Sequence, residues 1–362
     1  MSESGKTSNP LILGCMGLGG PWEAEGFGEA ELARADGAVR AALDSGIDSF
    51  DHADIYSRGK SEAVFGALLA RDPGLRGRIF LQTKCGIRPA GSSSWKGWTS
   101  SPKLKSTAPK STAMPRDPDR YDFSRAWIMA AAEASLARLR TDRLDRLILH
   151  RPDPLMEVDE VLEAFTRLHE AGKVRGFGVS NFPASALSLM ATELEEAGFG
   201  IQCDQVELSL LHHDLVEATL MAGQRPWAPS PWRGEFDSAG SGASPLGAGS
   251  IDLVPFCLEA GIELQAWGAL AQGRLSGLPL PAEAPQALAG TAALVAELAA
   301  ERGVGPEAVV LAWLLRLPWA FRPVIGTTDP ARIASAAAAA TVRLSREEWY
   351  ALYEAARGAP IP

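Results

Sequence analysis

The chain has 362 residues, 46% of them hydrophobic and 22% charged, with a net charge of −9. That length exceeds an ordinary single domain but is usual for an α/β barrel carrying insertions, and the acidic balance excludes the basic stripe of a nucleic-acid-binding surface. The opening MSESGKTSNP is polar and does not read as a secretory leader, and no segment approaches the ~20 apolar residues that span a bilayer.

In chain order, strand and helix signals alternate almost throughout, which predicts a parallel sheet with crossover helices. LILGCMGLG reads as the first strand, residues 29–45 as an amphipathic helix stopped by Gly46, and GIDSFD as the second strand. SEAVFGALLARD is helical, RIFLQTK is the third strand, residues 124–140 form a helix, and LDRLILH is the fourth strand. The helix MEVDEVLEAFTRLHEAGK stops at Gly172, and KVRGFGVSNF is the fifth strand with its loop. A helix from Pro183 to Glu196 leads into QCDQVEL, the sixth strand; residues 251–260 are helical, and GIELQAWGAL carries the seventh. Helical runs at 289–302 and 306–317 precede a short eighth strand, RPVIG. An Ala-rich helix starts at Pro330, and the last helix opens on Ser345-x-x-Glu348, a capping box. Eight strands separated by helices predict an α/β fold of one closed (β/α)8 TIM barrel, a single domain over 1–362.

Two stretches break the rhythm. Residues 90–119 and 222–249 are rich in Gly, Ser and Pro, and each carries two tryptophans: Trp95 and Trp98, then Trp227 and Trp232. Both read as loop insertions on the C-terminal face. Two readings stand: passive insertion, or an aromatic rim over a substrate pocket. The four cysteines (Cys15, Cys85, Cys203, Cys257) show no CxxC or other metal spacing and lie in or beside apolar runs, so buried free thiols and a cytoplasmic location are expected.

In such a barrel, residues at the C-terminal ends of different strands converge on one face. Asp51 closes the second strand, Tyr56 follows it, Lys84 closes the third, and His150 the fourth. A free phenol, with a pKa near ~10, donates a proton poorly at neutral pH unless its anion is stabilised, as an adjacent Lys84 ammonium would do. Asp51 would partner Lys84, and His150 would orient a carbonyl at the same point. Singly, each has a plainer explanation: a turn cap, a surface charge, a core histidine. Together, in this order, they describe a proton-donating site. No His/Asp cluster has convincing ligand spacing, so no metal is expected.

The segments DHADIYSRGKSE, LQTKCGI, LDRLILHRPDP, VRGFGVSNF and PVIGT resemble the signature segments of the aldo-keto reductase superfamily, from about Leu13 to Gly358 apart from the two insertions. With CMGLGG and HRPDPLME, the chain is most similar to a bacterial oxidoreductase group within it. The resemblance implies a catalytic tetrad of Asp51, Tyr56, Lys84 and His150, with Tyr56 the general acid, acting on a small-molecule aldehyde or ketone. It also implies NADPH, bound without a Rossmann domain, since GLGG at 17–20 is no GxGxxG. Ser180, Asn181 and Gln205 would then hold the nicotinamide carboxamide, and Trp267 would stack on its ring beside Gly268. Gly19, Gly20 and Asp51 also fall among the implied cofactor contacts. Leu270, Gln272, Gly273 and Arg274 would line the pyrophosphate.

Ile325, Gly326, Thr327, Thr328 and Arg332 would hold the adenosine end, where VIGTTDPAR opens a helix whose free N–H groups favour phosphate. NADP is expected over NAD because Arg332 matches the family's phosphate-binding arginine. The chain departs from the pattern in lacking a lysine near Thr327, in placing Asp329 there, and in having Leu208 where relatives carry tyrosine. A nucleotide-binding, redox-sensing or regulatory barrel with weak turnover is the alternative. A metal-dependent hydrolase would need an HxH on the first strand, which reads LILGCMG.

Overall fold

A computed structural model describes residues 9–90, 119–220 and 253–361. The strands are β1 (Ile12–Gly14), β2 (Ser49–Asp51), β3 (Phe80–Cys85), β4 (Ile87–Arg88), β5 (Arg120–Tyr121), β6 (Arg146–Leu149), β7 (Phe177–Ser180), β8 (Ile201–Glu207), β9 (Glu263–Trp267) and β10 (Arg322–Ile325). Eight of them close a parallel barrel in the order β1-β10-β9-β8-β7-β6-β3-β2, while β4 and β5 form a separate antiparallel ribbon. This is the expected (β/α)8 barrel. Its strands are covered on both faces, so β6 and β7 are buried at every position.

The helices that cover the barrel are α1 (Glu29–Asp44), α2 (Lys60–Arg71), α3 (Arg125–Leu139), α4 (Val158–Glu170), α5 (Ala184–Glu196), α6 (Asp214–Leu220), α7 (Leu253–Glu259), α8 (Gln286–Arg302), α9 (Pro306–Leu315), α10 (Pro330–Ala337) and α11 (Arg346–Arg357). In α4 the buried residues Val161, Ala164, Phe165 and Leu168 fall at i, i+3, i+4 and i+7, one stripe of a helix. Phe165 from that stripe stacks on Phe177 of β7, centroids 3.8 Å apart. Ser345 and Glu348 form the expected capping box of α11, and Trp349 stacks on Trp313 to seat that helix on α9.

The structure differs from the sequence reading in three places. The apolar run LILGCMGLG does not stay extended: the strand ends at Gly14 and Met16–Gly19 winds into a 3-10 turn. The β4–β5 ribbon and α6 carry too few residues for periodicity to reveal them. The two insertions, with Trp95, Trp98, Trp227 and Trp232, fall almost wholly outside the described residues. The first is pinched at its base above β3, where the Ala90 N–H donates to Asp119 Oδ1 at 2.6 Å. The second leaves not from a strand but from α6. Its last described residue, Leu220, lines a hollow of about 350 Å³ with Arg316, Leu317 and Trp319, in the turn that enters β10. Residues 222–249 themselves, with the rim expected of them, lie outside the described residues.

Candidate active site

Strand ends position three of the four expected catalytic side chains. Asp51 is the last residue of β2, Lys84 the last but one of β3, and His150 immediately follows β6. Tyr56 sits on the turn after β2. That turn is held in an unusual shape: Ser57, Arg58 and Gly59 all have left-handed φ, at 48°, 58° and 82°. Non-glycine residues adopt this only when neighbours enforce it. Here Ser57 Oγ donates to the Gly20 carbonyl at 3.0 Å, and Ser61 Oγ donates to that of Met16 at 3.0 Å. A Cβ on Gly19 would lie 2.7 Å from both Ser57 Cβ and the Ser61 nitrogen, which accounts for that glycine as the place where the two loops touch.

Lys84 is the hub. Its Nζ donates to Asp51 Oδ2 at 2.5 Å, to the His52 carbonyl at 3.1 Å and to the Tyr56 hydroxyl at 3.1 Å. These use all three ammonium hydrogens. His150 meets Tyr56 edge-on, ring centroids 6.1 Å apart. Burial alone would lower the Lys84 ammonium, but Asp51 and Tyr56 outweigh it and hold it above its ordinary value. Burial raises the Tyr56 phenol, and although Lys84 pulls the other way, the net shift is upward, with Asp51 adding to it. The expectation that Lys84 would bring the phenol below its usual range is therefore corrected. Burial, then the charges of Lys84 and Arg151, push His150 well below the ordinary imidazole value, so it is neutral at pH 7.

Four of the expected cofactor residues, Ser180, Asn181, Gln205 and Trp267, are linked to one another beside this hub. Ser180 Oγ donates to the Gln205 carbonyl at 2.7 Å. Asn181, with left-handed φ of 63°, donates to Ser180 Oγ at 2.8 Å and to the His150 carbonyl at 3.3 Å. Trp267 Nε1 donates to Asn181 Oδ1 at 2.9 Å. Gly268 has left-handed φ and is exposed, and Leu208 is buried, its N–H bonded to the Trp267 carbonyl. Beyond Leu270, residues Ala271, Gln272 and Gly273 are also left-handed, at 46°, 59° and 81°. Gln272, Gly273 and Arg274 line a hollow of about 330 Å³. Arg332 Nη2 lies 3.3 Å from where a Gly273 Cβ would stand, and Thr328 packs on Gly17. Ile325 is buried at the end of β10, while Gly326 is open and Thr327 half-buried.

The N-terminus of α10 differs from expectation. The Asp329 carboxylate already accepts from the N–H groups of Ala331 at 2.8 Å and Arg332 at 3.3 Å. Those amides are not free for a phosphate; the Arg332, Thr327 and Thr328 side chains are what remains there.

Three inward-facing glutamines escaped the sequence reading or were only partly recognised. Gln82 and Gln205 each donate to Asp51 Oδ1, at 2.7 and 3.1 Å, and each donates to Gln265 Oε1, at 2.8 and 2.9 Å. Gln82 and Gln265 stand in strands RIFLQTK and GIELQAWGAL, where a polar residue inside an apolar run was the available signal. Arg151 was also missed. Its guanidinium lies over the Trp267 ring, 5.8 Å from the centroid, with no carboxylate partner among the described residues.

A closed α/β barrel thus gathers a buried Lys–Asp pair, a phenol and a neutral imidazole at its strand-exit end. The chain belongs to the aldo/keto reductase family, whose model matches residues 10–222 and 244–357. It is 34% identical to the oxidoreductase YdhF of Escherichia coli over 90% of this chain and 88% of that protein. It is 32% identical to a 6-dehydroglucose reductase of Agrobacterium fabrum over 94% of each chain, and 27% identical to the versiconal hemiacetal acetate reductase of Aspergillus parasiticus. The chain is accordingly an NAD(P)H-dependent oxidoreductase of the carbonyl-reducing kind. Among the described residues no group of three or more His, Cys, Asp or Glu side chains could hold a metal ion, and no helix is long and apolar enough to cross a membrane.

Proposed function

We propose that this chain reduces an aldehyde or ketone with NADPH, and that Tyr56 is the general acid. The observation that carries this reading is the bonding of Lys84: the Tyr56 oxygen accepts from the ammonium at 3.1 Å, which leaves its own hydrogen to be donated elsewhere, and His150 stands edge-on to the same ring. When bound, the nicotinamide supplies a hydride to the carbonyl carbon. Tyr56 passes its proton to the carbonyl oxygen, Lys84 stabilises the phenolate left behind, and Asp51 keeps Lys84 in place. His150, neutral, holds the carbonyl oxygen by donating N–H; its Nδ1 is buried without a partner, which leaves Nε2 for the substrate.

The residues at the rim fit the cofactor. Trp267, fixed through Asn181, offers a ring face, the left-handed run at Ala271–Gly273 offers a backbone cradle, and Arg332 beside Gly273 offers a charge for a 2′-phosphate. On the substrate side Arg151 favours a carbonyl compound with an acidic or oxygen-rich tail over a purely apolar aldehyde. One relative is named for 6-dehydroglucose. The four cysteines are free and buried, which with NADPH fits a cytoplasmic enzyme.

Replacing Tyr56 by Phe tests the reading. Carbonyl reduction should nearly vanish while NADPH binding, followed by nucleotide fluorescence, stays intact. A variant that keeps most of its kcat shows that Tyr56 is not the acid.

A further inference from the structure

We propose that Glu263, half-buried at the foot of the barrel, and Gln265, fully buried above it, are positioning residues that fix the direction of the amides of Gln82 and Gln205. In doing so they set both the hold on Asp51 and the face that Gln205 turns to the nicotinamide. This deepens the reading above and rests on it.

Glu263, Gln265 and Trp267 alternate along β9, so all three point to one face of the strand, from the foot of the barrel to its mouth. Glu263 Oε1 accepts from Arg146 Nη1 at 2.9 Å and from Gln265 Nε2 at 2.8 Å, and Glu263 Oε2 lies 3.4 Å from Arg322 Nη1. Burial opposes ionisation of Glu263, but Arg146, Gln265 and Arg322 outweigh it and hold the carboxyl below its usual range. An ionised carboxylate can only accept, and an arginine can only donate. Gln265 must therefore turn its NH2 group down to Glu263, where the arginines offer no acceptor. Its oxygen then faces up.

That oxygen receives two donors, Gln82 Nε2 at 2.8 Å and Gln205 Nε2 at 2.9 Å. Gln82 is held further: its Oε1 accepts from Gln265 Nε2 at 3.2 Å and from Arg146 Nη1 at 3.4 Å. Each of the two amides has one hydrogen left, and both go to Asp51 Oδ1, at 2.7 and 3.1 Å. Lys84 takes the other oxygen, Oδ2. The direction chosen at Glu263 thus propagates through one amide into two, and ends on the catalytic carboxylate. Turned the other way, Gln82 and Gln205 would present oxygen to a buried carboxylate. The same direction leaves Gln205 Oε1 outside the network, to accept from a carboxamide N–H.

Gln265→Leu removes the shared acceptor with little change of volume and touches no reacting group. Once Gln205 is free to turn, Kd for NADPH read by fluorescence titration should rise several-fold. With Asp51 held by fewer fixed donors, kcat should fall roughly ten-fold or more, by analogy with other misplaced catalytic groups. Gln265→Glu is the second variant. It can still accept from Gln82 and Gln205, but it meets Glu263 acceptably only while it carries a proton. Its kcat and NADPH affinity should therefore recover as pH is lowered, unlike those of the parent. A folded Gln265→Leu with parental kcat and Kd overturns the proposal. So does a Gln265→Glu variant with the parental pH profile, which keeps the test open if the leucine variant does not fold. Failure of the tetrad reading is seen separately, as retained activity in Tyr56→Phe, because NADPH affinity of the Gln265 variants does not depend on the phenol.

Discussion

Lys84 Nζ stands 3.1 Å from the Tyr56 oxygen and 2.5 Å from Asp51 Oδ2, so one buried ammonium bridges the phenol and the carboxylate. The phenol lies above its usual range because burial outweighs the pull of Lys84. It is therefore fully protonated at neutral pH, as the proposed general acid must be, and in that proposal Lys84 acts chiefly on the phenolate formed during turnover.

Lys84→Met should lower kcat by roughly a hundred-fold or more, the range typical of lost acid–base assistance. The sign of the pH effect follows from the same geometry. Lys84 lowers the phenol, so its loss should move the alkaline limit of any residual activity to higher pH. A residual activity whose alkaline limit stays in place would show that the two groups are not coupled.

Arg332→Ala should weaken NADPH more than NADH, because the amides at the start of α10 are taken by Asp329 and the arginine side chain is left to meet a 2′-phosphate. A charge-assisted contact of this kind is worth ~1.5–3 kcal/mol, or roughly ten-fold to a hundred-fold in Kd. Equal losses for the two nucleotides would place Arg332 away from that phosphate.

Arg151→Ala should raise KM for a carboxylate-bearing aldehyde by a similar factor of roughly ten or more, while a neutral aldehyde of the same size changes little. NADPH affinity should hold. If the nucleotide weakens and the two substrates respond alike, the guanidinium serves the cofactor.

Asp204, fully buried on β8, has its carboxyl lifted to about 8 by burial, with the N–H groups of Phe182 and Asn181 pulling the other way. The unfolded chain releases this proton near pH ~4 and the folded chain only near 8, so between them the native state binds more protons. Stability from this group is full below ~4 and falls by about 1.4 kcal/mol per pH unit until it is lost through 8. Asp204→Asn should flatten that slope. Urea unfolding of both proteins at pH 5 and pH 8 gives the comparison, and an unchanged difference would assign the slope to other groups.

Much of this was legible in the sequence because it follows periodicity. Alternating strands and helices imply the barrel, and a barrel places strand-end residues together, so Asp51, Lys84 and His150 could be gathered before any distance was known. Gln82 and Gln265 could not. A glutamine inside an apolar strand shows only that something polar is buried, and these two, which bond to each other, stand 183 residues apart in the chain. Arg151 was hidden for a different reason. It is a charged residue among the charged and proline residues of HRPDP, and only its place over Trp267 distinguishes it from a solvated one. The net direction of the Tyr56 shift depends on how deeply the ring is buried, which no motif encodes.

The first insertion is where sequence and structure can next be joined. Its base is closed by the β4–β5 ribbon, with Ile87 opposite Tyr121, and by the bond from Ala90 to Asp119. The ribbon follows β3 directly and so stands at the strand-exit end, where Lys84 lies. A short link between Ala90 and Asp119 therefore spans a gap already bridged by a hydrogen bond, and loop-closure entropy changes only slowly with length. Replacing residues 91–118 with a short Gly/Ser link should leave a folded barrel that binds NADPH with parental Kd and reduces a small aldehyde. If Trp95 and Trp98 border the substrate, KM for bulky or aromatic carbonyls should change several-fold in the same variant. Unaltered kinetics for every substrate would make the insertion passive. Loss of the folded protein would make it structural, and either result removes the rim hypothesis.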